Sequence, residues 1–141
     1  MRWFILSFLL TSSASAWEFH PGLPCRLTHD MGVDTVELTF DPGLPLYTIS
    51  LTRAQGWREA DVFTIEFIGP SGLVISTNRQ EISADGGTLS VADTGFGNVL
   101  NGLQFNQLAR ARLGAQVVDI SLDGAAEPVE KFRRCRAEAG V

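Results

Sequence analysis

Apolar side chains recur at every second position through the first half of this chain: Val36, Leu38 and Phe40, then Tyr47, Ile49 and Leu51, then Phe63, Ile65 and Phe67. Successive strand residues point to opposite faces, so such runs are buried economically only as strands with one face in a core and one in water. Residues suited to tight turns separate them, at Asp41-Pro42-Gly43, Gln55-Gly56, Gly69-Pro70-Ser71-Gly72 and Asp85-Gly86-Gly87. Leu73 to Ser76 and Thr88 to Ala92 continue the pattern. The expected fold is mainly β, a single-domain antiparallel sandwich or open barrel, rather than any βαβ arrangement.

Later segments change period. Val99, Leu100 and Leu103, with Gln107 and Leu108, match helical spacing while Phe105 does not. That predicts a short helix that Asn98 caps and Gly102 weakens by about 1 kcal/mol relative to alanine. Residues 95–113 therefore have no firm secondary-structure reading. Gln116 to Leu122 reads as a strand with Val118, Ile120 and Leu122 on one face. A C-terminal helix follows, with Asp123 as its expected cap, Pro128 in its first turn, and Val129, Phe132 and Cys135 on one arc packed on the sheet.

The first sixteen residues have a different character. Arg2, an apolar run from Trp3 to Leu10, a small polar stretch and Ala14-Ser15-Ala16 have the order of an export signal. The expectation is a cleaved leader, residues 1–16, and one β-rich domain, residues 17–141, in the periplasm or secreted. No later segment approaches the roughly 20 apolar residues of a membrane span, so no transmembrane anchor is expected. In an oxidising compartment the two cysteines, Cys25 and Cys135, pair most simply with each other; a free thiol and a bridge between two chains are the alternatives. A loop of roughly 100 residues closed in this way stabilises by about 4.7 kcal/mol in the chain-entropy model.

Charge and motif content narrow the chemistry. The net charge is −5, and loss of Arg2 with the leader makes it one unit more negative. The one basic cluster, Lys131, Arg133, Arg134 and Arg136, is interleaved with Glu127, Glu130 and Glu138, as on a solvated helix face. Nucleic acid is not an expected partner. There is no phosphate-binding loop, no G-x-S-x-G elbow and no dinucleotide fingerprint, since Gly95-Phe96-Gly97 has its third glycine at Gly102. With two histidines, His20 and His29, no metal site or cofactor is expected. An oriented His29-Asp30 pair is the one candidate general base. Among the carboxylates only Glu66 sits in an apolar setting, and alternation turns it outward. The least ordinary stretch is Asp93 to Leu103. Gly95, Phe96, Gly97, Asn98 and Asn101 form a candidate binding loop: the glycines admit close backbone approach and the amides offer donors and acceptors. A turn followed by a short helix closing the sheet is the alternative.

Trp17-Glu18-Phe19, Cys25, the Gly95 to Leu103 stretch, and Ile120 to Ala126 through Phe132 to Cys135 together resemble a group of small, exported, uncharacterised two-cysteine bacterial proteins. The resemblance implies export, a disulfide and a compact β-rich domain, and carries no activity. The strand, Leu-Asp-Gly turn, helix and late cysteine are also similar to the end of the invasion-associated locus B proteins; an additional cysteine usual there is missing, so no role in host interaction is carried over. The function expected is that of a non-enzymatic envelope protein, a binding or interaction module for another envelope or extracellular protein. The alternatives are a small periplasmic hydrolase using carboxylates or His29 and Asp30, and a β domain that binds a small molecule between its layers, for which the nine phenylalanines are the motive.

Overall fold

The structure is a computed structural model that describes residues 17–139. The expected leader, residues 1–16, lies outside them. The elements run β1 (Trp17–His20), β2 (Cys25–Asp30), β3 (Thr35–Asp41), β4 (Leu46–Thr52), β5 (Phe63–Ile68), β6 (Leu73–Thr77), β7 (Glu81–Ile82), β8 (Thr88–Asp93), α1 (Gly97–Phe105), β9 (Leu108–Leu113), β10 (Gln116–Ser121) and α2 (Ala126–Ala139). Two antiparallel sheets result: a six-stranded one in the order β1-β2-β3-β4-β8-β7, and a four-stranded one in the order β10-β9-β5-β6. This is the expected mainly-β single domain, in its sandwich-like form.

Register follows from the alternation. In the larger sheet Leu27 lies opposite Leu38, Leu38 opposite Ile49, and Val36 opposite Leu51, so one face is continuously apolar. In the smaller sheet Ile65 lies opposite Ala111 and Phe67 opposite Ala109; the small partners make room for large neighbours. A one-residue slip would turn every one of these side chains to water. The outer faces are polar: Arg26 bonds Glu37 at 3.1 Å, and Arg110 bonds Asp119 at 2.7 Å. The bonds from Arg110 hold the Asp119 carboxyl below its ordinary value.

Two tryptophans join the sheets to their surroundings. Trp17 Nε1 donates to the carbonyl of Ser121 at 2.9 Å, linking the β1 edge of one sheet to the β10 edge of the other. Trp57 Nε1 donates to the Leu51 carbonyl at 2.9 Å, and the Arg53 guanidinium lies 4.8 Å from its ring centroid.

Helix α2 packs on β1, β2 and α1. Val129, Phe132 and Cys135 are its buried stripe, as the spacing predicts. Cys25 of β2 and Cys135 of α2 are joined in a disulfide, with Cα atoms 6.4 Å apart. The bridge fixes the helix to the strand it covers. Asp123 is not the cap: α2 begins at Ala126, and Asp123 with Gly124 forms the preceding turn, where Ala125 N–H bonds the Leu122 carbonyl at 3.1 Å. Gly124, two residues before the helix, adopts φ +77°, a left-handed value that suits glycine.

The ambiguous stretch resolves into a helix and a strand. Helix α1 starts one residue before Asn98, with Phe96 at the cap position and no side-chain cap bond, so Asn98 is not its cap. Gln107 and Leu108 are not helical: Leu108 opens β9. Gly102 has a packing reason. A Cβ there would overlap the Phe67 ring, so the glycine lets the helix sit directly on β5. Asn106 then stops the helix, its amide donating to the carbonyls of Gly102 and Ser71, both at 3.0 Å, and accepting from Ser71 N–H at 3.0 Å.

Two stability predictions follow from this packing. Gly102→Ala gains about 1 kcal/mol of helix propensity but overpacks Phe67 at a cost of about 1 to 3 kcal/mol, so the urea midpoint should fall, and fall less in a Phe67→Leu background. Cys25→Ala should lose about 2 to 5 kcal/mol of unfolding free energy, and an unchanged melting curve would contradict a stabilising bridge.

Candidate functional site

The two sheets leave one side of the sandwich open. Strand β6 ends the smaller sheet and pairs only with β5. Strand β8 pairs with β4 from Thr88 to Asp93, whereas β7 meets it only at Leu89 and Ser90. On that side Val91, Ala92 and Asp93 therefore have no ladder partner. Between β6 and this part of β8 lies a cleft of about 700 Å³. Ile49, Phe63, Ile65 and Phe96 form its buried floor, with Ile75 and Val91 half-buried on its walls. Its rim carries Ser76, Thr77, Asn78, Arg79 and Asp93, and the turn into α1 forms a lip at Gly95, Gly97 and Asn98.

Most of the predicted loop meets here. Gly95 and Gly97 lie at the mouth, and Asn98 is exposed on the lip. Phe96 is 5% exposed and stacks on Tyr47 with ring centroids 5.4 Å apart, so it is floor rather than rim. Asn101 does not belong to the cleft. Its Oδ1 accepts from Arg133 Nη2 at 2.6 Å, tying α1 to α2, beside a Gln104 that bonds both Glu130 and Arg133. A Cβ at Gly95 or Gly97 would meet nothing within 4 Å, and neither glycine has a left-handed φ. The fold does not require them; they keep the lip bare.

The walls supplied by β6 and β8 were not legible as site residues, because only the topology brings these strands together. The available signal is compositional: Leu73-Val74-Ile75-Ser76-Thr77 carries no charge.

The remaining candidates sit elsewhere. His29 and Asp30 are neighbours on β2 and alternation turns them to opposite faces. His29 is buried and stacks on Trp17 at 4.4 Å with ring planes 6° apart, while the Asp30 carboxylate accepts from Gly32 N–H at 2.8 Å on the surface. Glu66 points outward, as alternation predicts, 3.9 Å from Arg112. Lys131 and Arg134 pair with Glu127 and Glu130 along α2 at 3.7 and 3.5 Å, the solvated face expected. A second depression, of about 730 Å³, lies between Trp17 and the start of α2, but Gln104 and Lys131 on its wall are engaged in the bonds already described. Among the described residues no group of three or more His, Cys, Asp or Glu is placed to hold a metal ion, and no helix is long and apolar enough to cross a membrane.

Comparison with family models, with curated proteins and with solved structures gave no match.

The two asparagines of the loop should separate by experiment. Asn101→Ala, which strips a partner from Arg133, should lower stability by about 0.5 to 1.5 kcal/mol. Asn98→Ala should stay within about 0.5 kcal/mol of the parent in the same urea titration.

Proposed function

We propose that this protein is an exported, disulfide-closed binding module that takes an apolar group into the cleft between β6 and β8. The supporting observation is the cleft itself, an apolar floor inside a polar rim, entered over a lip whose glycines the fold does not demand. Ligand sites combine such a concave apolar surface with a few polar groups at the margin. Gly97, the first residue of α1, has no close neighbour and no left-handed φ that would call for glycine there. Bare backbone at the lip admits a ligand more closely than any side chain would. Export and the envelope location belong to the same reading, and rest on the order of residues in the leader and on the bridge between Cys25 and Cys135.

Anilinonaphthalene sulfonate, whose fluorescence rises in apolar surroundings, tests the cleft directly. The parent should bind it saturably. Gly95→Trp, which has open space for its side chain and closes the mouth, should weaken binding several-fold, as should Val91→Arg on the wall. Dye binding unchanged in both variants, each with the parent's circular dichroism, would remove this reading.

A further inference from the structure

We propose that the natural occupant of the cleft is an extended polypeptide strand that adds to the β6 edge; this rests on the cleft reading above. The chemistry of the walls selects this occupant. An unpaired strand edge presents a row of backbone N–H and C=O groups that a hydrocarbon cannot satisfy and another backbone can. Here both walls are such edges, β6 along Leu73–Thr77 and β8 at Val91, Ala92 and Asp93. The floor between them is apolar, which suits the inward side chains of an added strand, alternate residues of which would turn into the cleft.

Edge protection elsewhere in the molecule sharpens the contrast. Sheet edges are ordinarily guarded by charge, brevity or a covering element. Strand β1 has Glu18 and is packed by α2; β7 is two residues long and carries Glu81; β10 carries Asp119, held by Arg110. Among the described residues β6 is the only edge strand longer than two residues that carries no charge, and α1 touches it without replacing a ladder partner. It is five residues of Leu, Val, Ile, Ser and Thr, with Val74 62% exposed on its outer side. An edge of this kind is a template for pairing. The partner is accordingly a β-forming segment of about five residues, matched to β6, with Val, Ile, Leu or Phe at alternate positions and no proline. Arg79 and Asp93, one of each sign on the rim, give no preference for a strongly charged partner.

The probes are capped seven-residue peptides alternating threonine with Val, Ile, Leu or Phe, each beside its fully N-methylated counterpart, which keeps the side chains and loses the backbone donors. They are titrated against the folded protein carrying bound anilinonaphthalene sulfonate, and amide hydrogen exchange is followed in the complex. The expected result is displacement of the dye, at least about tenfold weaker competition by the N-methylated form, as loss of one to three net backbone hydrogen bonds implies, and slowed exchange within residues 73–77. Equal competition by both forms would overturn strand addition while leaving an apolar cleft. So would protection at β10 or β1 instead of β6. If no peptide displaces a dye that Gly95→Trp does displace, strand addition falls and the cleft stands; a dye insensitive to Gly95→Trp and Val91→Arg removes the cleft reading itself.

Discussion

Four strands cannot cover six. The larger sheet has a continuous apolar inner face from β1 to β8, and the smaller sheet is two strands short of it. Burial of apolar surface is the main favourable term in folding, so the surplus must be covered by something else. On one flank α2 does this, laying Val129, Phe132 and Cys135 against β1 and β2. A single helix laid on a sheet is easily lost, since its stability comes from packing rather than propensity. The bridge from Cys135 back to Cys25, across 110 residues of sequence, keeps it seated. Among the described residues the opposite flank has no second such helix. There the shortfall remains as the cleft beside β6 and β8, so the disulfide-held helix and the open side are two consequences of one mismatch.

Helix α1 connects these flanks, and its placement depends on two residues. Gly102 brings the helix axis onto the Phe67 ring, and Asn106 uses its whole amide to end the helix and hold the β5–β6 turn at Ser71. Gly69 is part of the same arrangement: a Cβ there would come within 2.8 Å of the Asn106 Cα. With its C-terminal end fixed in this way, the helix presents its N-terminal turn at the cleft mouth. Asn101 and Gln104, one helical turn apart from one another, reach Arg133 and couple α1 to α2. The lip is thus positioned from the disulfide-held side of the molecule.

Strands with large apolar residues at period two were legible in the sequence, and so was the stripe Val129, Phe132, Cys135, because both patterns report burial directly. Strand β9 was not. Its buried positions are Ala109, Ala111 and Leu113, alternating with Arg110 and Arg112, and alanines opposite Phe67 and Ile65 carry too little hydrophobicity to show the period. Gly102 was readable only as a helix weakener, since its reason lies on a strand thirty-five residues earlier. Of the candidate site, the glycines of the lip stand out in the sequence, whereas the walls do not, because strand order in a sheet is a long-range property. Asn101 shows the limit of reading by residue type: an exposed asparagine suits a ligand and an arginine of the neighbouring helix equally well.

The open flank also bears on how such a chain avoids sticking to itself. An uncharged, β-branched edge is a hazard in any sheet, and β6 is followed by Asn78-Arg79-Gln80, which cross to the other sheet and place one cation just beyond the uncharged run. That guards the terminus of the edge and leaves its middle, at Ile75, free. Charge on β10 and brevity at β7 confine pairing to the two edges that border the cleft, β6 and the Val91 to Asp93 part of β8. Because both border the same cleft, one added strand fills the space between them, which works against propagation, since filaments require two complementary edges that stay open. The same distribution of charge that keeps the other edges closed therefore makes β6 usable: a pairing surface is tolerable in a β protein when it is confined to one cleft that gives the incoming side chains somewhere to go.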